Sequence, residues 1–400
     1  MTALARRGLK AARTSVRQAL KPAAPKKRSA AVKPRQSAAA PAKSAKPAHA
    51  AKSAKSVKSA KSAKSAKPAN STHRAAFAPK SGWTTGAALG ATGALRYALF
   101  CPPGLKAGAG DLLPLLVMLH GCGQDAKGFA QSTRMNAVAT REGFMVLYPE
   151  QDRLANPQGC WNWFDTRNGR ALKEAALILR AVDQVCLLHA ADRDRVAIAG
   201  LSAGASMAAL VVTRHPGRFK AVAMHSGIAP GTAHSALSAL SAMQGRRSAR
   251  PLAKALSIDR TSTGIEWPPL LVIHGSADRV VSARNGQAAA QQWASAAGAQ
   301  SGPPRQVQRG QRYPMTVADY KSNGRLVVTR VEVAGLGHAW SGGASRLPYG
   351  DSRGPDASRL VWAFVNKLFV LARTANQAGD VHRQPPPAAA LRGGRGPTDG

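Results

Sequence analysis

Negative charge is what this sequence has least of. Its 400 residues carry 19 Asp and Glu against 57 Lys and Arg, a formal net charge of +38, and residues 1–80 contain no acid at all. That first stretch holds 21 Lys and Arg, so 36 basic and 19 acidic residues remain from residue 81 onward, a net +17 there. The asymmetry reads as a basic tail joined to a moderately basic body. Aromatics are few, at 5%, and none interrupts the repeat AKSAKSVKSAKSAKSAK, so base stacking is not implied for it. The four cysteines, Cys101, Cys122, Cys160 and Cys186, form no C-x-x-C pair, which argues against a zinc site or a thioredoxin-like motif. One or two disulfides and buried free thiols both fit that count. Long apolar runs are missing too: no stretch approaches the roughly 18 residues of a membrane span. The start, MTALARRGLKAARTSVRQAL, lacks the apolar core of a secretory signal. A helix there would gather Ala5, Leu9, Ala12, Val16 and Leu20 on one arc, a narrow basis for surface association, and the Arg- and Ala-rich composition also resembles an organellar transit peptide.

Residues 21–80 offer almost nothing to bury. Lysines three apart drift by roughly 60° around a helix and form no face, and like charge and proline favour disorder. Two readings stand for this tail: a solvated linker, and a non-specific contact with a polyanion such as nucleic acid, or with a granule surface. From about residue 81 strand-like and helix-like stretches alternate: strands RYALFC, LLVMLH, FMVLYP, RVAIAG, FKAVAMHS and PLLVIHG, with FAQSTRMNAVATRE, ALKEAALILRAVDQVCLLH, SAGASMAALVVTRH and NGQAAAQQWASAAG as helices. Nearly unbroken apolar strands alternating with helices predict an α/β class with a mainly parallel sheet covered on both faces. Residues 229–266 show little periodicity and are expected outside the sheet. A hairpin is predicted around Asn323-Gly324, a closing helix over SRLVWAFVNKLFVLA, and a Pro-, Gly- and Arg-rich disordered end after about 374. The predicted organisation is thus a tail over 1–80, a body over 81–373 and a second tail over 374–400.

Gly200-Leu201-Ser202-Ala203-Gly204 has the form G-x-S-x-G, weak by itself in a glycine-rich chain but placed between a strand and a helix. Glycines two before and two after the serine let neighbouring elements approach the sharp turn that presents its hydroxyl. A serine hydroxyl needs a base, and His338, in Gly335-Leu336-Gly337-His338-Ala339-Trp340, lies on the loop before the last helix. His120, His225 and His274 each end a strand and read equally as packed residues. Asp278, just past strand PLLVI, is the carboxylate that would hold the imidazole in its tautomer. The chain order Ser, acid, His marks the α/β-hydrolase fold. Oxyanion donors are expected from the N–H groups of Ala203, at the helix start, and of Cys122, on the loop after LLVMLH. The Cys122 thiol is then incidental, or tied in a disulfide, with Cys160 as a candidate partner.

PLLVMLHGCGQ, STRMNAVATREGFMVLYPEQ, CWNWF, RVAIAGLSAGASMA, HGSADRVV and GLGHAWSGG, in this order over residues 92–370, closely resemble the polyhydroxybutyrate (PHB) depolymerase family of esterases, related to feruloyl and acetylxylan esterases. The resemblance implies the triad Ser202, Asp278 and His338, Cys122 at the oxyanion hole, an ester or polyester substrate and no cofactor. It also implies Trp161, Trp163 and Trp340 in the substrate cleft, with core packing as the equal alternative. Ala205 departs from a pattern in which many members carry a third glycine. Members are often secreted; the N-terminus does not support this, and a cytoplasmic location is the alternative. Against the hydrolase reading stands a tail-tethered nucleic-acid or granule-surface protein with subordinate hydrolase activity.

Overall fold

The structure is a computed structural model that describes residues 82–104, 112–252 and 267–381. The basic tail and everything beyond 381 lie outside the described residues, and with them the polyanion reading of 1–80. The elements run β1 (Trp83–Gly90), β2 (Gly93–Phe100), β3 (Leu113–Leu119), α1 (Ala126–Thr133), α2 (Met135–Glu142), β4 (Met145–Glu150), α3 (Arg170–Leu188), β5 (Ala191–Leu201) and α4 (Ala203–Arg214). They continue as β6 (Ala221–His225), α5 (Ala236–Met243), β7 (Leu270–Gly275), α6 (Arg284–Ala296), β8 (Gln300–Ser301), β9 (Arg305–Val307), β10 (Met315–Ser322), β11 (Arg325–Val333), β12 (Trp340–Ser341), β13 (Gly350–Asp351) and α7 (Ala357–Val381).

Among the described residues, one sheet takes the order β1-β2-β4-β3-β5-β6-β7-β11-β10-β8, with β9 also on β10. Its centre, from β4 to β11, is parallel, and both edges are antiparallel. The central strands lack polar alternation because both faces are covered. On β3, Leu115, Val117 and Leu119 enter one core layer with α3, α4 and α6, while Leu116 and Met118 enter the other with α1, α2 and α7. This two-sided burial places the carboxyl ends of β3, β5, β6 and β7 along one rim of the sheet, where loops are free to carry chemistry.

Three differences from the sequence reading have local causes. FAQSTRMNAVATRE is two helices, broken at Arg134 with φ 57°. There the Thr133 hydroxyl donates back to Phe129 O and accepts from Met135 N–H, and the Thr133 carbonyl is taken by Ser358 Oγ, so side chains and the last helix compete for bonds the ladder would use. β1 was not foreseen: WTTGAALG buries only Ala88 fully and is held by its antiparallel pairing with β2. α7 continues to Val381, past the boundary expected at 374, and the first proline after it is Pro385. Residues 229–252 lie outside the sheet as expected and contain α5, begun by a capping box between Ser235 and Ser238; residues 253–266 lie outside the described residues.

Candidate active site

The turn between β5 and α4 is forced by close approach. A β-carbon at Gly200 would lie 2.4 Å from the carbonyl carbon of Gly204, and one at Gly204 would lie 2.2 Å from Leu119 O, so the end of β3 presses on the start of α4. Between them Ser202 is held at φ 58°, ψ −119°, its N–H donating to His225 O at 2.9 Å. Ala205 fits in place of a glycine because its neighbour across the packing is Gly227, where a β-carbon would come within 2.7 Å of the Ala205 methyl.

His338 Nε2 lies 3.0 Å from Ser202 Oγ, and His338 Nδ1 lies 2.8 Å from Asp278 Oδ2. The loop carrying His338 is docked on the turn carrying Asp278: Ala277 N–H donates to Leu336 O, Gly335 N–H donates to Ser276 Oγ, and Gly275 leaves room for Leu336 O. Asp278 Oδ1 also accepts from the N–H groups of Val280 and Val281. Burial alone would raise the Asp278 pKa; the charge of His338 and the bonds from His274 and His338 reverse it and hold the carboxyl well below the usual carboxylate range. Ionised Asp278 fixes the proton on His338 Nδ1, which leaves Nε2 as an acceptor facing the serine hydroxyl.

The other strand-end histidines are occupied by packing. His120 Nδ1 donates to Gly121 O and Nε2 accepts from Gln151 N–H. His225 Nε2 accepts from Ser341 N–H, so its proton sits on Nδ1, 3.1 Å from Ser226 Oγ. Burial, then the charges of His274 and His338, lower the His225 pKa to about 3. His274 Nε2 donates to Val281 O and lies 3.5 Å from Asp278 Oδ2, a support for the carboxylate that its strand-end position did not reveal.

Cys122 and Ala203 face the same cleft as Ser202. Among the described residues the Cys122 N–H has no acceptor, whereas those of its neighbours do: Gly121 donates to Gln124 Oε1 and Gly123 to Gln158 O. Ala203 N–H is the first of α4 and points from the helix start without an intrahelical partner. Cys122 is bonded to Cys160, which ties this loop to the segment bearing Trp161 and Trp163. Both of those tryptophans line the cleft, with Phe164, Ile228 and Met243. Trp340 does not, correcting the cleft expectation for it. It is 1% exposed, stacked on His225 and edge-on to Phe129, and its Nε1 donates to Ser358 Oγ. It packs the core behind the site.

The support of the tryptophan segment is not evident from the sequence. Buried Glu174 on α3 accepts from Asn162 N–H at 2.8 Å, Asn162 Nδ2 at 2.5 Å and Gln151 Nε2 at 2.7 Å, and Gln151 Nε2 also donates to Cys160 O. Burial raises the Glu174 pKa against the pull of these donors. The only sequence signal is a lone acid among the apolar residues of ALKEAALIL, which solvent exposure explains equally well. Among the described residues no group of three or more His, Cys, Asp or Glu is arranged to hold a metal ion, and no helix is long and apolar enough to cross a membrane.

The chain is similar to known esterases. Over 250 residues, 62% of this chain and 58% of the relative, the chain is 31% identical to poly(3-hydroxyalkanoate) depolymerase C of Paucimonas lemoignei. It is 28% identical over 205 residues to feruloyl esterase B of Thermothelomyces thermophilus, covering 46% of this chain and 66% of that one. The chain thus spans less than two thirds of the length of these curated relatives. Among solved structures, the acetyl xylan esterase from Aspergillus awamori superposes with a TM-score of 0.51 at 20% identity, over 61% of this chain and 89% of that chain, and shares the α/β-hydrolase fold. Residues 95–302, slightly more than half of the sequence, match the family described as Esterase PHB depolymerase, and the chain belongs to that family.

Proposed function

We propose that this chain hydrolyses carboxylic esters through an acyl-enzyme on Ser202. The observation that carries the reading is the continuous line from Ser202 Oγ through His338 to Asp278, with contacts of 3.0 and 2.8 Å. Ser202 Oγ attacks the ester carbonyl carbon while its proton passes to His338 Nε2. Asp278 stabilises the imidazolium without taking its proton. The tetrahedral oxyanion accepts from the N–H groups of Cys122 and Ala203, each worth about 10²–10³ in rate. Collapse breaks the bond to the alkoxide, which leaves with the proton of His338; water then repeats the sequence and releases the acid.

The cleft wall of Trp161, Trp163, Phe164, Ile228 and Met243 supports a substrate with an apolar acyl or alcohol part. A hydroxyalkanoate polyester or its oligomers is the first reading, in keeping with the name of one relative. An aromatic acyl group, as in a feruloyl ester, is the second, favoured by the adjoining rings of Trp163 and Phe164. A panel of p-nitrophenyl butyrate, methyl ferulate, acetylated xylan and a polyhydroxyalkanoate film, assayed with the wild-type chain and Ser202→Ala, tests both parts. Turnover of at least one ester that is abolished in the variant is expected; equal turnover by both proteins would refute the acyl-enzyme.

A further inference from the structure

Segments that line the cleft also carry charges that the hydrolytic steps do not use. Residues 229–235 follow the cleft residue Ile228 and are held by contacts from several directions. Thr166 Oγ1 lies 3.3 Å from His234 Nδ1, Arg247 Nε donates to Thr232 O at 2.9 Å, and Gln292 Nε2 donates to both Pro230 O and Arg250 O. Together these contacts gather Arg167, the neighbour of Thr166, with Arg247 and Arg250 around His234. Burial first, and then the charges of Arg250, Arg167 and Arg247, lower the His234 pKa, so all three guanidiniums act on one small region. All three arginines are exposed. Among the described residues none forms an ion pair, and the acid nearest in sequence, Asp165, is engaged by Arg170 at 3.6 Å and by Asn168 Nδ2 at 2.8 Å.

Three like charges without a counter-charge among the described residues repel one another and lower the energy of an incoming anion. A guanidinium fork matches a carboxylate through paired N–H donors. The location matters as much as the charge. Phe164, two residues before Thr166, lines the cleft, as do Ala239 and Met243 of α5, the helix set between His234 and Arg247. The arginines thus stand on segments whose neighbouring residues line the cleft.

We infer that Arg167, Arg247 and Arg250 form a subsite for a carboxylate carried by the ester substrate, so that the cleft prefers esters with a free acid group, such as linear hydroxyacid oligomers, over their neutral counterparts. This rests on the esterase reading and names the substrate class within it. The test is binding to the full chain carrying Ser202→Ala, by calorimetry, with two probe pairs. One is the linear dimer of a 3-hydroxyacid and its terminal amide, with the charge on the alcohol side; the other is p-nitrophenyl hydrogen glutarate and its amide, with the charge on the acyl side. In at least one pair the acid should bind about fivefold more tightly than the amide, and this preference should shrink at about 0.5 M salt. Adding Arg167→Gln and Arg250→Gln should remove it; Arg247 is left intact because its Nε also holds Thr232 O. Equal affinities in both pairs, or a preference that survives both substitutions, would overturn the subsite. Binding needs no turnover, so this outcome is separable from failure of the esterase reading, which hydrolysis of p-nitrophenyl butyrate by the wild-type chain reports.

Discussion

At Ser202 the backbone holds φ 58° and ψ −119°, a sparsely populated conformation costing about 1–3 kcal/mol, and the packing of β3 and α4 sustains it. Replacing the hydroxyl leaves that geometry intact, so Ser202→Ala should lower kcat by about 10⁴ or more with unchanged thermal unfolding, measured by ester assay and calorimetry on the same sample. Asp278→Asn should cost about 10⁴ in kcat by releasing the tautomer of His338. His225 predicts a pH effect on stability. Its folded pKa, about 3, lies below the unfolded value near 6.5, so the stability it contributes is complete above about pH 6.5 and is lost as pH falls toward 3. Urea unfolding should show a loss of about 1.4 kcal/mol per pH unit from this one proton across that window, absent in His225→Gln. Much of this scale was legible in the sequence. Ser202, Asp278 and His338 sit in short motifs at strand ends, and the structure brings the three together. Trp340 was not legible: its motif gives no sign that His225 and Phe129 cover its ring.

Between residues and the sheet stand the loops that shape the cleft. The Cys122–Cys160 bond closes a loop of 38 residues in sequence separation, worth about 4 kcal/mol on the chain-entropy view. Reduction should therefore lower the urea midpoint, and should reduce kcat more than it raises KM if the Cys122 N–H is held in place by that bond. A titration of activity against free thiol content checks this. Glu174 acts on the same loops from the other side. Its Oε2 faces a backbone N–H and its Oε1 faces two side-chain amides, so an amide at this position must turn a donor toward a donor. Glu174→Gln should cost about 1–3 kcal/mol of stability and lower kcat, read by unfolding and by the ester assay. The helices and strands of this region follow from periodicity, but the break at Arg134 depends on Ser358, far away in the chain. The Glu174 network likewise joins α3 to two loops that no local pattern connects.

For the molecule as a whole, the residues of the candidate site lie between Gly121 and Tyr349, within the described body. Removal of residues 1–80 should accordingly leave kcat/KM for a soluble ester within about twofold, with any loss of polyanion retention on a heparin column assigned to the missing segment. The α/β architecture was legible because strands covered on both faces read as apolar runs; the order in which they assemble was not, since β3 joins β5 and β7 joins β11 without a local signal. That same strand order has a consequence in time. The β1–β2 and β10–β11 hairpins close over short stretches of chain, whereas Leu116 meets Ala197, and Val272 meets Arg330, only after long intervening segments have been gathered in. Contacts between distant segments slow folding and leave apolar strands uncovered while they wait. The rim that carries Ser202 is therefore among the last parts of this chain to exist, and a newly made molecule passes through an interval in which its most apolar strands are open to other chains before it has any site to use.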